Sequence, residues 1–329
     1  MHKAKLTSQK LLIPILLMSI HEPRIAVLIP CYNEEIAIKA VIRDFRTALP
    51  LALIFVFDNN STDQTVKIAR EAGAIVRHVP LQGKGNVVRR MFSDVDADIY
   101  VLVDGDDTYH AASAPTLVAK LIDENLDMLV GRRVTNEIAA YRSGHRFGNW
   151  VLTELVGRLF GRSFTDILSG YRVFSRRYVK SFPALAAGFE IETELTVHAL
   201  ELRMPIDEVE TPYKSRPEGS MSKLSTYRDG IRIFWMIFKL FRQERPLMFF
   251  GGLALSLGIA SLMLSIPLFI TFSETGLVPR FPTAILVTGM MIISFVSIAC
   301  GLILDTVTRG RHEIKRLIYL QIPPPKVEL

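Results

Sequence analysis

The chain has 329 residues, of which 49% are apolar and 22% charged, and its formal net charge is +6. At about 150 residues per domain, this length suggests roughly two domains. We interpret the positive charge as attraction to anionic lipid, because the sequence contains no nucleic-acid-binding motif. The two cysteines, Cys31 and Cys300, suggest no disulfide, which fits a reducing compartment.

Residues 1–23 are interpreted as an N-terminal extension. Lysines precede the apolar run 11–18, as in a signal peptide. However, no small-residue cleavage site follows this run, and it is too short to cross a membrane. A folded domain is therefore predicted over residues 24–226.

Short apolar runs alternate with helical segments in the first third of the chain. Strands are predicted at 25–29, 51–57, 74–79 and 99–103, and a helix follows each of the first three. This alternation predicts an α/β fold with a doubly wound, mainly parallel sheet. Because ligands of such sheets bind beyond the carboxyl ends of the strands, the residues after each strand are the candidate site.

Polar residues follow these strands. Pro30 is expected to end the first strand, Asn33 and Glu34 come next, and Asp58 ends the second strand. Lys84 lies between glycines in front of a helix, an arrangement suited to phosphate, although the spacing is not that of a Walker A loop. Taken singly, these residues fit helix-capping or turn-forming roles equally well. Their order along one sheet edge predicts a nucleotide site.

The fourth strand leads directly into three carboxylates, Asp104, Asp106 and Asp107. Two carboxylates one residue apart at the end of a strand suit a hard divalent cation, Mg²⁺ or Mn²⁺. For an isolated Asp-x-Asp, the alternative is an acidic turn that only solvates the end of the strand. The polar residues after the other strands favour the metal site.

The C-terminal third of the chain is predicted to enter a membrane. Residues 246–273 and 281–304 contain no Asp, Glu, Lys or Arg, and each is long enough for a bilayer core, which takes about 20 apolar residues. Residues 227–245 carry basic side chains on one helical face and aromatic ones on the other, which is typical of an interfacial helix. The alternative for the two apolar segments is a buried hairpin in a large soluble core. The alternative for residues 227–245 is a soluble helix packed on the domain. By the positive-inside rule, the domain, both termini and a basic tail at 305–329 are cytoplasmic.

Five motifs resemble, in order, those of the GT-A-fold, family 2 glycosyltransferases. They are Pro30-x-Tyr32-Asn33-Glu34, Asp58-x-x-Ser61-x-Asp63-x-Thr65, Gly83-Lys84-Gly85, Asp104-x-Asp106 and Ser169-Gly170-Tyr171-Arg172. They look most like the polyprenyl-phosphate branch, which includes dolichol-phosphate mannose synthase and bacterial undecaprenyl-phosphate glucosyltransferases. The resemblance covers residues 24 to about 225, and the two predicted spans suit the bacterial type.

The resemblance implies a role for each matching residue. One departure is Thr108, which stands where many relatives carry a metal-binding glutamine. The resemblance implies nucleotide binding by Pro30, Tyr32, Glu34, Asp58, Lys84 and Asp104, metal binding by Asp104 and Asp106, phosphate binding by Arg133, Arg146, Arg216 and Lys223, and catalysis by Asp166 and Arg172.

Two of these assignments leave alternatives open. Arg133 and Arg146 would also fit as surface arginines. Asp166 is either a base or an orienting group, because a phosphate monoester has a second pKa of about 6 and is already ionised at neutral pH.

These features predict a membrane-anchored, metal-dependent, inverting glycosyltransferase of the bacterial inner membrane, active in cell-envelope glycan modification. It would transfer one sugar from a UDP- or GDP-sugar, with UDP-glucose as the leading donor, to undecaprenyl phosphate or another polyprenyl phosphate. Relatives with two spans suggest a tetramer. The alternatives are a polysaccharide-extending enzyme, whose usual Gln-x-x-Arg-Trp motif is missing here, a nucleotidyltransferase, and a non-catalytic scaffold or flippase partner.

Overall fold

A computed structural model of the chain describes residues 23–134, 165–186, 190–217 and 241–325, together with single positions at 153, 157, 188, 219, 234, 235, 238 and 239. Most of the predicted N-terminal extension and most of the predicted interfacial helix lie outside the described residues.

Seven strands form one sheet in the described part of the chain. They are β1 (Ile25–Cys31), β2 (Leu53–Asp58), β3 (Ile75–His78), β4 (Ile99–Leu102), β5 (Met128–Val134), β6 (Arg172–Ser175) and β7 (Ile206–Pro212). Their order across the sheet is β3-β2-β1-β4-β6-β5-β7. Only β6 runs antiparallel to its neighbours, so β5 and β7 point the same way as the first four strands. The predicted mainly parallel α/β sheet is confirmed.

Pro30 does not end the first strand, and this prediction was wrong. Pro30 lies opposite Phe57 inside β1, and the strand continues to Cys31. The carbonyl of Leu28 accepts a hydrogen bond from Val103, so Leu28 and Pro30 direct their backbone groups towards β4. The pairing of β1 with β4 stops at Leu28, and the missing N–H of Pro30 therefore removes no ladder hydrogen bond.

Helices cover both faces of the sheet. One face is covered by α1 (Ile38–Ala48), α2 (Thr65–Glu71) and α4 (Ala114–Asp123), and the other by α3 (Lys84–Asp94), α5 (Arg176–Ser181) and α6 (Ile191–Glu201). Ala26 and Leu28 face one core, while Val27 and Ile29 face the other. A sheet covered on both sides buries successive residues, which explains why its strands read as continuous apolar runs.

Two long helices, α7 (Pro246–Thr275) and α8 (Phe281–Leu320), follow the sheet domain. Both are long and apolar enough to cross a membrane, and most of their surface is exposed. The hydroxyl of Ser294 donates to the carbonyl of Ala254 at 2.7 Å, one of the close polar contacts typical of paired membrane helices.

The second helix does not end where its apolar run ends. It continues from residue 305 to Leu320, so this part of the predicted basic tail is helical. Asp305 and Arg309 form an ion pair one turn apart at 2.9 Å, and Tyr319 packs against the core of the sheet domain. Charge therefore marks the end of the apolar run and not the end of the helix.

Candidate active site

The candidate site lies at one edge of the sheet. The carboxyl ends of β1, β2, β4 and β5 meet there because these strands run in the same direction. The predicted site residues near these strand ends are Pro30, Tyr32 and Glu34 at β1, Asp58 at β2, Asp104 and Asp106 after β4, and Arg133 at β5.

The loop after β1 is fastened to the loop after β2. The N–H of Asn33 donates to Ser61 Oγ at 2.9 Å, and the N–H of Glu34 donates to Thr65 Oγ1 at 2.8 Å. Thr65 Oγ1 in turn donates to Asp63 Oδ1 at 2.5 Å. Ser61, Asp63 and Thr65 therefore fix the backbone that carries Glu34.

Asp58 is buried at the end of β2. Its Oδ1 accepts the N–H of Ser61 at 3.1 Å, and its Oδ2 lies 3.2 Å from His78 Nδ1. His78 is the last residue of β3, and nothing in the sequence pattern singles it out. The two contacts hold the Asp58 carboxylate in place at the edge of the sheet.

Lys84 lies between two carboxylates. Its Nζ is 2.5 Å from Asp104 Oδ1 and 2.5 Å from Glu192 Oε1. Burial opposes the charge, but the two carboxylates raise the pKa of Lys84 above its ordinary value. Burial also raises the pKa of Glu192 in spite of the ammonium group. The three side chains form a compact charged cluster with one excess negative charge.

Glu192 is a site residue that the sequence does not identify. It lies in the first turn of α6, where a carboxylate also complements the helix dipole, so its position alone does not distinguish the two roles. In the described part of the chain, no hydrogen-bond donor meets its Oε2.

Asn59 positions the loop that carries Lys84. Its Nδ2 donates to the carbonyls of Val79 and Leu81 at 3.0 and 2.8 Å, and its Oδ1 accepts the N–H of Gly83 at 2.7 Å. Gly83 has a φ of 126° and a ψ of 135°, a backbone conformation that is open almost only to glycine. The glycine before Lys84 is therefore needed for the shape of this loop.

Asp106 is held from two sides. Its Oδ2 lies 2.6 Å from Arg216 Nη2, and its Oδ1 accepts a hydrogen bond from Thr108 Oγ1 at 2.7 Å. Burial, together with the negative charge of Asp104, raises the pKa of Asp106. The hydroxyl of Thr108 thus orients Asp106.

Asp107 pairs with a different basic residue. It has a left-handed backbone with a φ of 58°, and its Oδ2 lies 2.8 Å from Lys214 Nζ. The third carboxylate of the Asp104–Asp107 segment therefore forms an ion pair with Lys214.

Asp104 and Asp106 fit a divalent cation. They offer hard oxygen atoms, and the side chain of Asp104 is 26% exposed while that of Asp106 is 5% exposed. Burial and mutual repulsion favour a cation at this position, and Lys84 and Arg216 supply positive charge to the two carboxylates in the described structure.

Gly170 lies against Asp104. Its N–H donates to the hydroxyl of Tyr109 at 2.8 Å, and a Cβ at this position would overlap the Asp104 carboxylate. We expect Gly170→Ala to displace this carboxylate and to weaken Mn²⁺ binding about 10- to 100-fold, a usual loss when the support of a ligand is disturbed. Calorimetric titration with Mn²⁺ measures the change.

Gly289→Ala is the matched control, because a Cβ at residue 289 meets no atom of another described segment within 4 Å. Its Mn²⁺ affinity should equal that of the wild type. Equal Mn²⁺ affinities in Gly170→Ala and the wild type would show that Asp104 does not bind the cation.

Asp166 and Arg133 form a two-pronged ion pair. Nε and Nη2 of Arg133 donate to the two carboxylate oxygens of Asp166, each at 2.7 Å. The N–H of Asp166 donates to Glu208 at 3.1 Å. Paired bonds of this kind fix both groups, so Asp166 holds the guanidinium of Arg133 in one orientation.

Arg172 does not reach the open site, which corrects its predicted catalytic role. Its side chain is fully buried (0% exposed), and it donates to the carbonyls of Ser169 and Ile167 and to the hydroxyl of Thr196. These bonds brace the segment that carries Asp166, so Arg172 is a positioning residue. The predicted phosphate contacts Arg146 and Lys223 lie outside the described residues.

Comparison with known proteins shows the family. A sequence profile for glycosyl transferase family 2 matches residues 26–182. Glycosyltransferase AglJ of Haloferax volcanii is 36% identical over 242 residues, which cover 72% of this chain and 77% of that protein. Dolichyl-phosphate hexose transferase of the same organism is 29% identical over 221 residues, covering 67% and 95%.

A solved structure shows the same fold. Glucosyl-3-phosphoglycerate synthase from Mycobacterium tuberculosis, crystallised with Mn²⁺, UDP and glucosyl-3-phosphoglycerate, superposes with a TM-score of 0.54 at 25% identity. The superposition covers 65% of this chain and 80% of that one. The predicted GT-A fold is thus confirmed, and the chain belongs to glycosyltransferase family 2.

Proposed function

We propose that this glycosyltransferase transfers one sugar from a nucleotide sugar to a polyprenyl phosphate at a membrane surface. The observation that carries the proposal is the pair Asp104 and Asp106, flanked by Lys84 and Arg216, in a chain that continues into two membrane-length helices. The similarity to a dolichyl-phosphate hexose transferase supports a lipid phosphate as the acceptor.

The donor nucleotide would lie along the edge formed by β1, β2 and β4. Pro30, Tyr32, Glu34 and Asp58 would contact the base and ribose, and Lys84 the diphosphate. Mg²⁺ or Mn²⁺ bound to Asp104 and Asp106 would supply positive charge that stabilises the departing nucleoside diphosphate. The synthase with a similar fold was also crystallised with Mn²⁺ and UDP-glucose, which supports UDP-glucose as the leading donor.

Lys84 and Arg216 would change partners when the donor binds. Each now neutralises one carboxylate of the Asp104–Asp106 pair, at 2.5 and 2.6 Å. A diphosphate placed beside them offers the same charge and more acceptor oxygens. Both cations then stabilise the negative charge that grows on the leaving group.

The acceptor needs positioning more than deprotonation. A phosphate monoester with a second pKa of about 6 is already a nucleophile at neutral pH. Arg133, which Asp166 holds by two hydrogen bonds, would orient this phosphate, together with Arg146 and Lys223. The phosphate oxygen would attack the anomeric carbon from the face opposite the leaving diphosphate, and the sugar configuration would invert.

The two helices would anchor the enzyme in a bacterial inner membrane. Arg245 precedes α7, and Arg309, Arg311 and Arg316 lie beyond the apolar run of α8. By the positive-inside rule, this charge distribution supports a cytoplasmic position for both flanks and the catalytic domain. The nucleotide sugar would then be reached from the cytosol and the lipid phosphate from the bilayer.

The test is a release assay with purified protein in detergent. UDP- and GDP-sugars are supplied with undecaprenyl phosphate and Mn²⁺ or Mg²⁺, and the released nucleoside diphosphate is measured. Release should require both the lipid and the metal, and the responding donor identifies the sugar. Release that does not require the lipid would contradict a polyprenyl phosphate as the acceptor. Failure to bind any nucleotide would contradict the nucleotide site at the edge of the sheet.

A further inference from the structure

The last part of α8 docks on the sheet domain. We call residues 305–320 the stalk helix; at 1.5 Å per residue it extends about 24 Å beyond the apolar run. In the described part of the chain, its polar contacts with other segments come from Thr308, Arg311, His312, Lys315 and Tyr319, whose spacings of three and four residues put them along one helical face.

One group of contacts is an ion-pair cluster defined by Glu201, Glu244, His312 and Lys315. Lys315 Nζ lies 2.7 Å from Glu201 Oε2, and His312 Nε2 lies 2.7 Å from Glu244 Oε2. Glu201 ends α6 in the catalytic domain, whereas Glu244 lies just before α7. The cluster therefore joins the catalytic domain, the start of the first membrane helix and the stalk helix.

Opposite charges in this cluster hold α6, the segment before α7 and the stalk helix together. Burial, reinforced by the negative charge of Glu244, raises the pKa of Glu201 to about 7. The ammonium group of Lys315 favours the charged form of that buried carboxylate, and Arg311, 3.6 Å from Glu244, balances the other. The ligand atoms of Glu201, Glu244 and His312 lie close enough together for a metal ion, but a divalent cation would add charge to carboxylates that are already neutralised.

A second contact lies at the end of the stalk helix. The hydroxyl of Tyr319 donates to Asp127 Oδ2 at 2.7 Å, and the guanidinium of Arg177 lies 4.8 Å from the centre of the Tyr319 ring. Asp127, which directly precedes β5, is fully buried, and Ser175 and Arg177 donate to its Oδ1. The stalk helix thus supplies the partner for the second oxygen of a buried carboxylate.

One helix connects this junction to the active site. Glu192 in the first turn of α6 contacts Lys84, and Glu201 at its last position contacts Lys315. Eleven helical residues form a rigid rod of about 16 Å. The active site is therefore joined to a membrane helix through two helices and one ion-pair cluster.

We propose that Lys315 and Tyr319 are positioning residues that hold the active site at a fixed height and angle over the bilayer, where it meets the phosphate of a membrane-embedded acceptor. This inference rests on the proposed function. Rigid contacts between the stalk helix and the catalytic domain reduce the orientational freedom that must be lost when the lipid phosphate reaches the site. Removing the contacts of Lys315 or Tyr319 should therefore impair transfer to an acceptor in a bilayer and leave transfer to a soluble acceptor unchanged.

The experiment compares two acceptors in the full-length protein. Lys315→Ala and Tyr319→Phe are assayed in vesicles with a long polyprenyl phosphate and in solution with a short, water-soluble prenyl phosphate. We expect the KM for the vesicle acceptor to rise about five- to tenfold, with the KM for the soluble acceptor, the KM for the donor and kcat unchanged. Lys315→Arg should restore the wild-type KM, because it retains the charge.

Arg316→Ala is the matched control, since it removes the same charge from the adjacent, exposed position. Hydrogen exchange of the stalk-helix amides should accelerate in Lys315→Ala and Tyr319→Phe but not in Arg316→Ala. Equal impairment with both acceptors would assign the contacts to stability alone and overturn the inference, as would a vesicle KM equal to that of Arg316→Ala. A wild type that transfers sugar to neither acceptor would overturn the proposed function itself, and the inference with it.

Discussion

Asp106→Asn is expected to lower the rate of sugar transfer about a thousandfold, which corresponds to about 4 kcal/mol of lost transition-state stabilisation. Asparagine keeps the shape of the side chain and one oxygen for the Thr108 hydroxyl. It removes the charge that would bind the divalent cation and hold Arg216. Release of nucleoside diphosphate at saturating donor and acceptor, measured over a range of metal concentrations, reports the loss.

Asp107→Asn makes the same chemical change at the next residue and serves as its control. The Asp107 carboxylate pairs with Lys214, whereas Asp104 and Asp106 pair with Lys84 and Arg216. The partly exposed ion pair contributes little to stability, so we expect a rate change of less than about threefold. Similar losses in the two variants would contradict the assignment of Asp106 as a metal ligand.

The edge of the sheet that carries the site is predictable from sequence because its signal is local. Asp58 and Asp104 each follow an apolar run, and parallel strands bring such positions to one edge whatever the details of packing. The position of Lys84 is predictable for a similar reason, since a lysine between glycines directly before a helix lies at the same edge as the ends of the strands. A polar residue that follows a predicted strand can therefore be placed at this edge of the sheet from sequence, but the side chains that it contacts cannot be predicted.

The direction of a side chain is harder to predict. The motif that contains Arg172 suggests a catalytic residue, but its side chain enters the core and binds the carbonyls of Ser169 and Ile167. Both faces of the sheet are covered, so every residue of β6 is buried whichever face it points to, and the motif does not reveal that its arginine lies inside. Glu192 is missed because a carboxylate in the first helical turn is already explained by the helix dipole.

Contacts between distant parts of the chain leave no pattern in the sequence. Tyr319 and Asp127 are 192 positions apart, and Lys315 and Glu201 are 114 positions apart. Neither pair belongs to a motif, and the basic residues of the stalk helix are equally typical of a solvated cytoplasmic tail. The helical end of the chain is therefore the part of the fold that the sequence predicts least well.

Lys84→Met is expected to destabilise the catalytic domain by about 3 kcal/mol and to lower sugar transfer at least about a hundredfold. The ammonium group is the partner that Asp104 and Glu192 share, and its loss leaves two carboxylates close together with no counter-charge between them. The same substitution removes the proposed contact with the donor diphosphate. Denaturant unfolding of the domain and the release assay measure the two effects separately.

The double variant Lys84→Met, Glu192→Gln separates the structural role of the lysine from its role in catalysis. Replacing Lys84 and Glu192 together leaves Asp104, whose side chain is 26% exposed, as the one charged member of the cluster, so the loss of stability should fall to about 1 kcal/mol. Glu192→Gln alone leaves Lys84 paired with Asp104 and supplies the reference rate. If Lys84 binds the diphosphate, the double variant stays about a hundredfold below that reference although it is stable again. A rate that recovers together with stability would assign Lys84 to folding alone, because Lys84→Met and the double variant differ only in the charge at residue 192.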